Sequence, residues 1–243
     1  MNDVVAGITL RQLLSRRRTL LLLLLGGVLV LVALVFRLAG DESRAPQFTA
    51  QLLANLGVAV LMPLVALLFG TGAIGSELDD GTAVYLLAKP IRRSTILLTK
   101  LAVASACAIL VTCGPMLLAG LIAAGGLGDG LVLGFVGAAA IGSVLYAAIF
   151  VALSLATSRA LVFGLGYVLI WEGMLSGLFA GTRTFSVRQI TLAFAEMLGD
   201  AADVLEAQLD LTTAVVVAAI VVVAATALAI RRLSMIEIAG ETA

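Results

Sequence analysis

The run TLLLLLLGGVLVLVALVFRLA, residues 19–39, contains only one charged side chain, Arg37. An α-helix of roughly 20 apolar residues crosses a bilayer core of about 30 Å, so this run predicts a membrane span. Runs of the same kind recur at residues 52–74, 96–124, 131–156, 161–180 and 211–230. We therefore predict an all-α integral membrane protein with six transmembrane helices.

The composition agrees with a lipid environment. Hydrophobic residues make up 62% of the chain, charged residues 12%, and the mean hydropathy is +1.17. Soluble domains carry about 25% charged residues. The segments between the predicted spans are too short for a second domain, so residues 1–243 are predicted to form one membrane domain. The net charge is zero, so nothing suggests a nucleic-acid partner.

The basic residues predict the orientation, because cytoplasmic loops retain Lys and Arg. With the N-terminus inside, eleven of the fifteen basic residues lie on the cytoplasmic side. The other four lie outside: Arg37, Arg44, Arg183 and Arg188. We predict a multi-pass protein of the plasma (inner) membrane with both termini in the cytoplasm.

The first 18 residues are predicted to form an interfacial helix. Leu10, Leu13 and Leu14 share one helical face, and Arg11, Arg16 and Arg18 offer charge to lipid headgroups. The alternative is a plain basic flank that only sets the topology.

A two-faced helix is predicted between the fifth and sixth spans, on the outer side. Apolar side chains recur at a helical period opposite a row of acids, namely Glu196, Asp200, Asp203, Glu206 and Asp210. Phe194, Leu198 and Leu209 belong to the apolar face. A structural lid or interface helix is the main interpretation, and a role in attracting ions or substrate is the alternative.

Glu172 lies near the middle of the fifth predicted span, where a charge costs roughly 2.5–3.5 kcal/mol on insertion scales. It must face protein or water, be hydrogen-bonded, or be protonated. Gly173, Gly177 and Gly181 follow at every fourth residue, which predicts a groove for close helix packing. A place on a translocation path and a structural bond between helices both fit this pattern.

Nothing in the sequence predicts an enzyme, a cofactor site or a metal site. The chain has no histidine, which excludes histidine-dependent hydrolases. The GTGAIG run at 70–75 matches a dinucleotide fingerprint but closes a membrane span instead of linking a strand to a helix. Cys107 and Cys113 lie within an apolar run and are interpreted as core thiols.

The segment between the second and third spans is the one sizeable loop predicted on the cytoplasmic side. It runs GSELDDGT at 75–82, YLLAKP at 85–90, then Arg92, Arg93 and Lys100. Pro90 ends any helix that precedes it. A short amphipathic helix here is a candidate docking element for a cytoplasmic partner, and an ordinary connector is the alternative.

This loop resembles the signature of ABC-2 type permeases, the membrane subunits of ATP-binding-cassette exporters. The WEG run at 171–173 and the SVR run at 186–188 also resemble bacterial members of the family. The resemblance implies a type V exporter-like layout, with an interfacial helix, six spans and outer helical elements before the last span.

The resemblance also implies partners. Two permease subunits, identical or homologous, would pair in the membrane above two separate ABC ATPase subunits, which would hold the ATP and magnesium. The short helix in the loop would be the coupling helix. The residues that correspond to it are Glu77, Asp79, Asp80, Gly81, Thr82, Tyr85 and Leu86. The cargo, whether drug, lipid, polysaccharide or another molecule, is left open.

Two other classes of function remain at this stage. A membrane scaffold or assembly protein would need no transport path and would not copurify with an ATPase. An ion-coupled secondary carrier would use Glu172, and its transport would collapse with the proton gradient instead of with ATP.

Overall fold

The computed structural model describes residues 3–13, 16–40, 42–79, 92–126, 130–175, 180–199 and 209–235, and all regular structure within these ranges is helical. The first helices are α1 (Asp3–Leu13) and α2 (Arg16–Leu38). After a short 3-10 turn, α3 runs as one continuous helix through Ala45–Leu52, a π-helical stretch Leu53–Leu61, and Met62–Asp79.

The second half of the chain contains the remaining helices. These are α4 (Arg93–Ala124), α5 (Leu131–Ala156), α6 (Ala160–Gly166, continued as a π-helix over Tyr167–Leu175), α7 (Ala180–Arg183), α8 (Val187–Gly199) and α9 (Leu211–Ser234).

Five of these helices are long and apolar enough to cross a membrane: Leu20–Leu38, Ala45–Gly75, Arg93–Ala124, Leu131–Ala156 and Leu211–Ser234. They coincide with five of the six predicted runs. The fifth predicted span corresponds to a shorter apolar helix, Ala160–Met174, and residues 176–179 lie outside the described part of the chain. The structure therefore supports an integral membrane protein with about five membrane-length helices, and the sixth span stays a prediction.

Helix α5 lies at the centre of the bundle and contacts α3, α4, α6, α8 and α9. Along α3 and α5 most side chains are buried, whereas α2 and α9 lie at the periphery and expose most of theirs. The start of α4 lies beside the end of α3, where Lys100 contacts Ala73, and beside the end of α9, where Arg93 contacts Leu233, so these three helix ends lie at one end of the bundle. We call this end, from which residues 80–91 join α3 to α4, the loop end.

Glycines stand at both sides of the segment between α4 and α5. Gly125 ends α4 with φ +76° and Gly130 precedes α5 with φ +73°, a left-handed backbone that only glycine adopts without strain. The guanidinium of Arg37, at the end of α2, lies against Gly125. A cation suits this position because the last carbonyls of a helix carry partial negative charge.

Helix α1 covers part of the N-terminal segment predicted to be interfacial, and its buried side chains are Val5, Thr9 and Leu13, which follow each other at steps of four. Of the predicted apolar face, Leu13 packs within the bundle, where α1 contacts α4 and α3, and Leu10 is 43% exposed. Leu14 lies outside the described residues.

Asp210 does not belong to the predicted acidic helix. Helix α8 is described over Val187–Gly199, and Asp210 is the N-cap of α9, where its side chain accepts hydrogen bonds from the amides of Thr212 (3.0 Å) and Thr213 (3.3 Å). On the predicted apolar face, Phe194 is buried and Leu198 is exposed. Residues 200–208, which include the three intermediate acids, lie outside the described part of the chain.

Candidate functional site

The carboxylate of Glu172 is the centre of a buried polar cluster half-way along α5, and its side chain is only 3% exposed. Its Oε1 accepts hydrogen bonds from the Tyr167 hydroxyl at 3.1 Å and the Val187 amide at 2.8 Å. Its Oε2 accepts from the Ser186 hydroxyl and, at 3.4 Å, from the Arg188 amide. The burial and hydrogen bonding that the sequence required of Glu172 are therefore present.

The π-helix explains why Tyr167 and Glu172 meet. In an α-helix two side chains five residues apart point about 140° away from each other. The wider π-helical turn closes its hydrogen bonds five residues apart, which brings such side chains to nearly the same side. The π-helical stretch from Tyr167 to Leu175 thus turns the Tyr167 hydroxyl and the Glu172 carboxylate towards one another.

The Glu172 carboxylate caps the N-terminus of α8 from another helix. Val187 and Arg188 are the first two residues of α8, so their amides have no acceptor within the helix. Ser186 completes the cap, since its hydroxyl oxygen accepts from the Gln189 amide at 3.2 Å. An anion at this position also interacts favourably with the positive end of the helix dipole.

Sequence reasoning did not find this cap, although a signal for it was present. Ser186 and Gln189 stand three residues apart at the start of an apolar-rich segment, which is the spacing of a capping box. That spacing predicts a helix start at this point. It does not identify the distant Glu172 as the second capping group.

Aromatic rings surround the cluster on the α5 side. The ring of Tyr146 stacks on Phe150 with centroids 5.6 Å apart, and Phe150 meets Tyr167 edge to face at 6.4 Å. The fully buried Tyr146 hydroxyl lies close to the Glu172 carboxylate without meeting hydrogen-bond geometry to it. The carboxylate is therefore enclosed by protein on this side.

Helix α8 begins at the Glu172 cluster and covers one half of α5. Near its start Thr191 packs against Gly142, and at its end Gly199 packs backbone to backbone against Gly134. Any side chain at Gly134 would collide with the α8 backbone. Helix α8 thus runs antiparallel to the first half of α5, from the mid-length of the bundle to the end opposite the loop end.

Two of the three glycines predicted to form a packing groove are described, and neither contacts another described helix. Gly173 is exposed and meets only its own helix backbone, and Gly181 is exposed with open space around it. Gly177 lies outside the described residues. The glycine by which α6 packs within the chain is Gly164, which lies against Leu67 of α3 and Phe150 of α5.

The residues predicted for coupling lie at or beyond the edge of the described structure. Glu77 and Asp79 belong to the last turns of α3, and their side chains are not described. Asp80, Gly81, Thr82, Tyr85 and Leu86 fall within residues 80–91, outside the described part of the chain. Their proposed role stays a prediction.

A cleft of about 740 Å³ opens at the loop end between α3 and the turn that joins α5 to α6. The hydroxyls of Thr71 and Ser154 line it, but they donate to their own helices, at Leu67 (2.6 Å) and Val151 (2.8 Å). Arg159 supplies a cation at the rim.

Across the ranges that the structure describes, no group of three or more His, Cys, Asp or Glu side chains is arranged to hold a metal ion. Cys107 is buried, Cys113 is half-buried, and both are free thiols, in line with their interpretation as core residues.

A family model described as ABC-2 family transporter protein matches residues 13–171, about two thirds of the chain. No curated protein matches the chain. The match and the bundle of apolar helices define a multi-pass membrane transport subunit. The chain belongs to the ABC-2 family and is an ABC-2 type permease. The resemblance that the 75–100 segment carries is thereby confirmed.

Proposed function

We propose that this chain is the permease subunit of an ABC exporter. It spans the plasma membrane of a bacterium six times, with both termini in the cytoplasm, and pairs with a second copy or a homologue. The loop around residues 76–95 docks on a separate cytoplasmic ATPase, which binds ATP and magnesium. The observation that carries the proposal is the family match over residues 13–171, since ABC-2 permeases work with ATP-binding subunits.

Two features of the chain support the orientation and the docking loop. Eleven of fifteen basic residues collect at the loop end and its flanks when the N-terminus is placed inside. The loop follows the last turns of α3 with the acidic run Glu77 to Asp80, and Arg92 and Arg93 follow it. A short apolar helix between acidic and basic groups is a suitable surface for a groove on a partner protein.

The surroundings of Glu172 favour a structural role over ion-coupled transport. A carrier carboxylate must exchange its ion or proton with water on each side of the membrane. Glu172 instead accepts bonds from two hydroxyls and two helix amides, and aromatic rings enclose it. We therefore assign Glu172 to holding α8 and do not propose a carrier.

The experiment begins with the tagged chain purified from native membranes and transferred to nanodiscs. We expect a stoichiometric ATPase subunit and measurable ATP hydrolysis. Asp80→Lys and Tyr85→Ala should lower either the binding of the ATPase or its coupled activity. Ser158→Lys is the matched control, because it adds a lysine to an exposed turn at the same end of the bundle.

The absence of an ATPase from the purified wild-type complex would contradict the proposal as a whole. If the ATPase is present but both loop variants behave like Ser158→Lys, the protein is still an ABC permease subunit and the docking site lies elsewhere.

A further inference from the structure

Arg93, in the first turn of α4, binds the end of the last helix of the chain. Its Nη1 donates to the carbonyl oxygens of Leu233 and Ser234, both at 2.9 Å. These carbonyls belong to the final turn of α9, where a helix leaves its acceptors without internal partners and carries partial negative charge. The guanidinium therefore acts as a C-terminal cap supplied from 140 residues away in the sequence.

Lys100 fastens the same end of α4 to α3. Its side chain is only 1% exposed, and its Nζ donates to the carbonyl oxygen of Ala73 at 2.7 Å. A buried ammonium is costly unless it is hydrogen-bonded, so α4 cannot slide along α3 without a large penalty. The end of α3 and the start of α4, which flank the loop on both sides, are thus held together as one unit.

The neighbouring residue Arg92 provides a contrast to Arg93. Arg92 is exposed, it precedes the helix, and its side chain has no hydrogen bond or ion pair in the described part of the chain. The two arginines are adjacent in the sequence and carry the same charge, but only Arg93 is hydrogen-bonded to α9. Helix α9 is otherwise mostly exposed, with Ala229 and Leu233 as its buried contacts near this end.

We propose that Arg93 is a positioning residue that couples the start of α4 to the end of α9. This inference rests on the proposed function, because it is the ATPase that sets α4 in motion. When the start of α4 moves, Arg93 pulls the end of α9 with it through two hydrogen bonds. Helix α9, which is distant from α4 in the sequence, then responds to nucleotide together with α4.

The test measures the movement of α9 directly in the complete permease–ATPase complex in nanodiscs. Spin labels are placed at Ser158→Cys, in the turn before α6, and Met235→Cys, just after α9, since both positions are exposed. Cys107 and Cys113 are replaced by alanine, and labelled chain is diluted so that each complex contains one labelled copy. The distance distribution is recorded without nucleotide and after trapping with Mg-ATP and vanadate.

We expect the distance to shift on trapping in the wild-type background and in the control Arg92→Gln. In Arg93→Gln the shift should be lost while ATP hydrolysis continues within about twofold of wild type, which separates transmission from assembly. Arg93→Lys keeps the cation on a shorter side chain and should give an intermediate shift. If Arg93→Gln does not assemble with the ATPase, the distance shift of Arg93→Lys is compared with that of wild type, and a smaller shift in Arg93→Lys supports the inference.

The inference is overturned if the label-to-label distance shifts in Arg93→Gln as far as in wild type, or if Arg93→Lys and wild type shift equally. It is also overturned if the wild-type complex hydrolyses ATP without any shift in this distance. Each of these results leaves the proposed function standing. An absent ATPase instead removes the proposed function, and this inference with it.

Discussion

Replacing Glu172 with glutamine should release the start of α8 from the bundle. The substitution keeps the shape of the side chain and removes its charge. Glutamine can keep the two bonds at the Oε1 position, from Tyr167 and Val187, but as neutral bonds they are weaker by about 1 kcal/mol each. At the Oε2 position an amide nitrogen now faces the Ser186 hydroxyl and the Arg188 amide, which are both donors in the wild type.

The mismatch at the Oε2 position and the lost interaction with the helix dipole add about 1–2 kcal/mol to the free-energy cost of the substitution. The sum is about 3–4 kcal/mol, and because each 1.4 kcal/mol is a factor of ten, local opening of α8 should become roughly 140- to 700-fold more frequent. Hydrogen–deuterium exchange of peptides covering Val187–Gly199 measures this opening in detergent or nanodiscs.

Glu196→Gln is the matched control, because it makes the same chemical change in α8 far from the cap. We expect its effect on exchange at the start of α8 to be much smaller than that of Glu172→Gln. If Glu172→Gln also exchanges like wild type, the reasoning is refuted. A carboxyl that is already protonated would be replaced by an amide at almost no cost, and the charged cap described here would not exist.

Three further predictions concern packing and capping. Gly134→Ala should lower the unfolding temperature by forcing α5 away from Gly199, at a cost of about 1–3 kcal/mol. Gly114→Ala, which has open space around it, should not lower it, and equal thermal stability of the two variants would contradict the close approach. Asp210→Ala removes the N-cap of α9 and should cost about 1 kcal/mol, with faster exchange of the first α9 amides, while Asp210→Ser retains most of the protection. Tyr167→Phe removes one hydrogen-bond donor to Glu172 and should speed hydrogen exchange of α8 about fivefold, less than Glu172→Gln does. An effect as large as that of Glu172→Gln would show that the ring and not the carboxylate holds α8.

The long helices were predictable because their signal is local. Each apolar run of about 20 residues must be helical to satisfy its backbone in lipid, whatever the rest of the chain does. Five of the six runs accordingly appear as long helices, although the second begins at Ala45, seven residues before the predicted start. The run at 161–180 is described as an apolar helix over Ala160–Met174. It turns π-helical from Tyr167, and apolar composition contains no information about that change.

Helical periodicity is a weaker guide to where a helix ends. The acids from Glu196 to Asp210 keep a helical spacing, yet Asp210 caps the following helix. An acid that caps one helix and an acid on the face of another have the same place in the periodic pattern. Only the backbone of Asp210, which is extended and not helical, distinguishes the two cases.

Contacts between residues far apart in the chain could not be predicted from the sequence. The burial of Glu172 could be inferred from its position, but its capping of Val187 depends on how α6 and α8 pack. The bond from Arg93 to Leu233 links residues 140 positions apart, and nothing local distinguishes Arg93 from Arg92. Such contacts appear only when the helices are assembled.

Two half-length helices share the length of α5. Helix α6 starts at the loop end and packs beside the second half of α5, whereas α8 packs beside its first half towards the other end. They meet at mid-length, where the Glu172 carboxylate of α6 binds the first amides of α8. Any change that breaks these bonds frees the facing ends of both helices at once, so the two halves of this side of the bundle are thermodynamically linked.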